Sequence, residues 1–152
     1  MTEANDKFTI GAFGVIFNDD GEVLLCHRRD YDMWVLPGGG MNRDETPWEC
    51  VIREIREETG LEAELVRLTG VYAKPPQENL VFTFLCRAIG GGLSLTDEAD
   101  QIEYFALDKL LKNTSPKLIE RITDACGESG TILKTQSSIS YVESMGLIRR
   151  DG

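Results

Sequence analysis

Between Gly39 and Leu61 the chain reads GGMNRDETPWECVIREIREETGL, and this stretch constrains the fold more than any other. Glu45 follows Gly39 after five intervening residues, Arg53 follows Glu45 after seven, and Arg53-Glu54-Ile55-Arg56-Glu57-Glu58-Thr59-Gly60-Leu61 closes the segment. At about 100° per residue, Glu54, Glu57 and Glu58 stand at i, i+3 and i+4 of a helix and share a face. Trp48, Val51, Ile52 and Ile55 recur at i, i+3, i+4 and i+7, so the adjacent face is expected to be buried. Thr46 suits the N-cap, Pro47 the first helical position, Glu49 the third position of a capping box and Gly60 the C-terminal stop. The spacing therefore predicts a helix over residues 46–59. Like charges at such spacing destabilise a helix by about 0.2–0.5 kcal/mol per pair. A divalent cation reverses that sign, because Mg²⁺ selects hard oxygen ligands.

Glutamate-rich faces are common on solvated helices, so the argument rests on the whole spacing rather than on three acids. The pattern Gly-x5-Glu-x7-Arg-Glu-apolar-x-Glu-Glu-x-Gly-apolar resembles the signature of the Nudix hydrolases, and every specified position is filled. Leu36-Pro37-Gly38-Gly39-Gly40 provides the approach usual in that family. The resemblance implies an α/β fold, a Nudix-type α/β/α sandwich with a mixed β-sheet between helices. It implies hydrolysis of the pyrophosphate bond of a nucleoside diphosphate derivative, with Mg²⁺ as cofactor and Mn²⁺ as a substitute. Glu54, Glu57 and Glu58 would be the metal ligands, joined by the backbone carbonyl of Gly38. Arg53 would orient Glu57, and Glu45 would support the ligands from behind. The general base varies in this family between a signature glutamate and an acid in a later loop. Glu98, six residues before Tyr104, is the loop candidate, and without that role it is a solvated loop charge.

Substrate choice has thinner support. Pro76 stands fifteen residues beyond Leu61, where a proline is associated in this family with hydrolysis of ADP-ribose to AMP and ribose 5-phosphate. Against that, the few residues before Phe8 leave no room for the additional N-terminal sheet that many ADP-ribose hydrolases carry. Cleavage of a (deoxy)nucleoside triphosphate in a housecleaning role is the alternative. A non-catalytic, nucleotide-sensing module is a third reading, opposed by the complete set of carboxylates.

The remaining chain sets bounds. Its 152 residues suit one domain, with residues 1–7 frayed, 8–126 forming the hydrolase domain and 127–152 a C-terminal extension. A formal charge of −10 argues against extended nucleic acid or an anionic membrane surface, so the expected partner is a small nucleotide. Cys26, Cys50, Cys86 and Cys126 lack CxxC spacing and read as reduced thiols of a cytoplasmic protein, with no secretory segment at the start. Arg28 and Arg29 are candidate substrate contacts for the diphosphate, whereas the single histidine, His27, is read as structural. Residues 8–17 read as a strand, and Asn18-Asp19-Asp20-Gly21 as a hairpin turn into an antiparallel partner over 23–29. Strands are also expected over 62–73, 80–88, 93–95 and 102–106, with a chain break at Gly90-Gly91-Gly92 and an acidic loop over 96–100. Short helices are expected over 107–111 and 116–126. For 127–152, a strand, a docking tail, partial disorder, a cover over the pocket and a homodimer contact all remain open.

Overall fold

The computed structural model describes residues 8–110 and 112–150. Residues 1–7, expected to fray, lie outside the described residues, as does residue 111.

Among the described residues, eight strands and three helices follow one another as β1 (Thr9–Ile16), β2 (Val23–Arg28), β3 (Trp34–Val35), β4 (Gly38–Gly40), α1 (Pro47–Thr59), β5 (Leu61–Ala73), β6 (Asn79–Gly91), β7 (Ala99–Phe105), α2 (Pro116–Ala125), β8 (Ile132–Thr135) and α3 (Tyr141–Met145). The larger sheet is mixed and runs β4-β1-β6-β5-β8, while a smaller sheet runs β3-β2-β7. In the larger sheet, β1 lies parallel to β6 and β5 parallel to β8, and the β5–β6 and β1–β4 pairs are antiparallel. In one core layer, Val51 and Ile55 of α1 cluster with Ala12, Ile16, Phe84 and Cys86. In the other, Leu118 and Ile122 of α2 cluster with Val15, Val23, Leu25 and Leu36. Burying each of the Val, Leu, Ile and Phe side chains among these stabilises the fold by about 1.5–3 kcal/mol. The alternation of Ala12 and Ile16 with Val15 along β1 shows the sheet lying between the two layers, which makes the expected sandwich.

Gly14 illustrates why α1 packs so closely on β1. A Cβ at that position would sit 2.8 Å from Ile55 Cδ1, so only glycine lets the helix approach to this distance. The helix ends match their sequence signals: Thr46 Oγ1 accepts from Glu49 N–H, Glu49 returns the bond to Thr46 N–H, and Gly60 closes the helix at φ +81°. Thr46→Ala is accordingly expected to lower stability by about 1 kcal/mol, read from the midpoint of a urea melt with an unchanged slope.

Several expectations are corrected. The turn after β1 forms, with Asn18 N–H donating to Glu22 C=O, but β1 and β2 are not hairpin partners. Only Phe17 and Val23 bridge, because β4 and β6 occupy both edges of β1 and β2 leaves to found the second sheet. Trp48, expected on the buried face, is 53% exposed. The face that packs is centred on Val51, Glu54 and Ile55 and takes in Cys50 and Thr59 instead. The three glycines Gly38–Gly40 form strand β4, pairing Gly38 with Phe13. Gly90 and Gly91 extend β6 opposite Glu62 and Leu61 instead of breaking it. Residues 93–95 form no strand; Ser94 N–H bonds Thr59 C=O, and β7 begins earlier than expected, at Ala99. The expected helix over 107–111 reduces, in the described part, to a 3₁₀ turn at Leu107–Lys109. The C-terminal segment supplies an edge strand, β8, and α3. All four cysteines are free, and Cys126 is exposed. Among the described residues no helix is long and apolar enough to cross a membrane.

Candidate active site

The capping box fixes where α1 starts, and hence which side chains its last two turns present to β4. Glu54 is 8% exposed. Its carboxylate lies over Gly39, where a Cβ would come within 2.8 Å of the carboxyl carbon. One turn later, Glu58 Oε2 accepts a 2.8 Å hydrogen bond from Gly38 N–H. The loop before β7 is tied to the end of α1 through Ser94 N–H on Thr59 C=O, at 2.9 Å, and the Thr96 hydroxyl on Glu58 C=O, at 3.5 Å. That anchoring delivers Glu98, so that one carboxylate oxygen each from Glu54, Glu58 and Glu98 lie within 4.8 Å of one another.

Gathering three acids has an electrostatic consequence. Burial pushes the Glu58 carboxyl up to about 9, with Glu54 and Glu98 adding to the rise and the Gly38 amide opposing it. Burial also raises Glu54, against the pull of Arg53. Arg53 is the hub behind the trio. Its Nε and Nη2 grip Glu45 at 2.9 and 2.6 Å, and its Nη1 reaches Glu54 and Glu57 at 3.0 Å each. Glu45 is held down to about 2 by that guanidinium and by the Asn42 N–H. Glu57 is half-exposed on Arg53 and stands outside the trio. Gly38 presents its amide to Glu58.

The trio opens on a cleft of about 640 Å³, lined by Glu58 and Glu98. Arg28 and Arg29 line it as well, but both are engaged: Arg28 holds Asp30 through Nε and Nη2, and Arg29 donates to Thr96 C=O. His27, also on the wall, is 4% exposed. Its ring nitrogens lie 2.7 Å from Asp100 and 2.8 Å from Asp32, tying β2 to β7 and to the following loop. Pro76 is not brought to the cleft. It is exposed in the turn between β5 and β6, which contributes Lys74 instead.

Lys74, Lys117 and Arg121 are basic lining residues that sequence reasoning missed. Arg121 is buried between the Phe13 and Tyr72 rings, at 5.9 and 5.4 Å, and donates twice to Gln136 Oε1. Gln136 in turn bonds Lys117 C=O through its side chain and Ala73 C=O through its backbone. The pattern of α2 carried the signal for two of them: Lys117 and Arg121 stand at i and i+4, flanking the apolar stripe of Leu118 and Ile122.

Comparison with known proteins then decides the family. A NUDIX domain model matches residues 7–125, well over half of the chain. The chain belongs to the Nudix hydrolase family. This Nudix hydrolase is 38% identical over 145 residues to a candidate 8-oxo-dGTP diphosphatase of Bacillus subtilis (strain 168), covering 94% of this chain and 97% of the relative. It is 38% identical over 104 residues to an ADP-ribose pyrophosphatase of Methanocaldococcus jannaschii, covering 64% and 62%. A NUDIX hydrolase structure from Nitrosomonas europaea superposes with a TM-score of 0.78 at 18% identity, over 88% of this chain and 81% of the other, which bears on the fold alone. Nudix hydrolases use divalent metal, and the donor set of this one fits such an ion. Three hard carboxylate oxygens converge from two separate segments, and Gly39 leaves open the space that a Cβ would fill.

Proposed function

We propose that this Nudix pyrophosphohydrolase cleaves a nucleoside triphosphate to the monophosphate and pyrophosphate. The observation that carries the hydrolytic reading is the convergence of Glu54, Glu58 and Glu98 beside a nucleotide-sized cleft that also bears cations. Mg²⁺ or Mn²⁺ held beside this cluster would neutralise charge on the diphosphate and acidify water. Glu54 and Glu58 are the proposed ligands, with Glu57 and the Gly38 carbonyl completing the set. Arg53 holds Glu45, Glu54 and Glu57 in register through charge-assisted bonds. Glu98, exposed at the mouth, is the proposed base that takes the proton from attacking water. Arg28 and Arg29, released from Asp30 and Thr96, are proposed contacts of the bound diphosphate.

The triphosphate reading gains from two observations. Pro76, the marker that favours ADP-ribose, lies outside the cleft lining, and the relative matched over 97% of its length carries a deoxynucleotide name. ADP-ribose remains the second reading, supported by the relative named for that activity. A panel of dATP, dGTP, 8-oxo-dGTP and ADP-ribose with Mg²⁺, resolved by chromatography of the products, tests the choice. A hundredfold preference in kcat/KM for ADP-ribose would reverse the order.

Metal uptake is expected to be proton-linked. A carboxyl with a pKa of about 9 is protonated at neutral pH, and a cation must displace that proton to use the oxygen. Affinity should therefore rise with pH from 7 to 9, by up to about tenfold per unit, with about one proton released at pH 7. Calorimetric titration with MnCl₂ in two buffers of different ionisation enthalpy reads the proton directly. Equal heats in both buffers would contradict the linkage.

A further inference from the structure

The basic wall of the cleft is built differently from the acidic one. Glu54 and Glu58 arrive on α1, whereas Lys117 and Arg121 arrive on α2, across the sheet, with Lys74 from the turn that follows β5. None of the three cations has an ion-pair partner among the described residues. In a chain whose 26 acids outnumber its 16 lysines and arginines, such pairing would have been easy to supply. Arg121 is 7% exposed and fixed by Gln136, so its charge is positioned rather than drifting in solvent. The first turn of α2 opens on the same cleft. Its N-cap, Ser115, is nine-tenths buried, lines the cleft and makes no side-chain capping bond. A helix N-terminus carries partial positive charge and suits an anion.

We propose that Lys74, Lys117, Arg121 and the Ser115 hydroxyl at the head of α2 form a subsite for a phosphate group of the substrate that is not part of the scissile bond. This rests on the hydrolytic reading above and narrows its substrate class. The scissile diphosphate is served by the carboxylates and the metal they hold, so a second group of cations needs a second anion. The γ-phosphate of a triphosphate provides one, as does a phosphomonoester on the ribose; plain ADP-ribose provides none. Burial lowers the basicity of Lys74 and Lys117, and the neighbouring Arg121 charge lowers it further; a bound anion would offset both. Bidentate and ammonium donors side by side are the usual chemistry for binding a tetrahedral oxyanion.

The test uses the full chain and the double variant Lys74→Gln/Lys117→Gln. Both substitutions keep most of the side-chain stem and remove the charge, and thermal melts report folding. Should the double variant unfold, Lys74→Gln alone, in a surface turn, serves instead. In the first arm, inorganic phosphate is titrated calorimetrically in EDTA, and the variant should bind about tenfold more weakly or worse. In the second arm, kcat/KM is measured with Mg²⁺ for dATP, ADP-ribose and 2′-phospho-ADP-ribose. The loss for dATP, for 2′-phospho-ADP-ribose, or for both should exceed the loss for ADP-ribose by about thirtyfold; which of the two responds identifies where the extra phosphate is carried. Equal losses on all three would mean that the lysines grip the scissile diphosphate, and the proposal fails. Weaker phosphate binding without any change in substrate discrimination would make this a site for free phosphate, and the proposal fails again. If the native chain hydrolyses none of the three, the hydrolytic reading is the one that falls, and the proposal falls with it even if the phosphate arm succeeds.

Discussion

Glu58→Gln is expected to lower kcat by about 10³-fold or more while leaving a protein that folds at least as well as the parent. The first half follows from losing an anionic oxygen at the centre of the carboxylate trio. The second follows from the raised carboxyl. Its folded pKa, about 9, lies far above the ordinary value of 4.5. The metal-free fold must therefore keep a proton on Glu58 that the unfolded chain gives up above its own pKa. Stability from this group is thus undiminished below about pH 4.5 and is lost progressively as pH rises towards 9. At pH 7 the penalty is on the order of 3 kcal/mol. Glutamine carries no such penalty, so in EDTA the variant should melt several degrees higher than the parent at pH 8, and the gap should close near pH 5. Adding Mg²⁺ should raise the melting temperature of the parent and barely move the variant. A variant that melts below the parent at pH 8 would contradict the account of Glu58, and one that keeps its kcat would remove it from the proposed ligands.

Gly39→Ala should separate activity from folding by another route. The new methyl would fall 2.8 Å from the Glu54 carboxyl carbon and 2.9–3.0 Å from its oxygens. These atoms are the tip of a flexible side chain, so the methyl is accommodated by pushing Glu54 away rather than by moving backbone. The expected loss is about a hundredfold in kcat/KM, with weaker Mn²⁺ binding and a melting temperature within about 2 °C of the parent. Normal kinetics with normal Mn²⁺ affinity would show that Glu54 does not need the position it occupies over Gly39.

The parts of the site legible in the sequence are those that one helix places by itself. The three signature glutamates, Arg53, the caps at Thr46 and Gly60 and the glycines before α1 are set by a local period. That Glu54 faces the packed side while Glu57 faces Arg53 and water was less legible, because a 100° wheel does not say where the sheet ends. Trp48 was misjudged for the same reason. The pairing of β1 failed at longer range: a strong turn at 18–21 says that the chain reverses, not that both arms stay in one sheet. The basic wall was only half legible: Lys117 and Arg121 share one helix, but Lys74 lies more than forty residues earlier and is joined to them through Gln136, in a segment without clean alternation. Pro76 shows another limit: a positional marker names a residue, whereas the turn that carries it lines the cleft through Lys74.

The parallel edge strand β8 has a further consequence for how the molecule is made. A nascent chain that has emerged from the ribosome as far as Cys126 already contains α1, the loop with Glu98 and both lysines of the basic wall. Gln136, which clasps Arg121 and joins α2 to the end of β5, follows only afterwards. Synthesis therefore completes the acidic wall first and locks the opposite wall last, so a ribosome-tethered chain arrested before β8 would gather its glutamates while leaving Arg121 without its clasp.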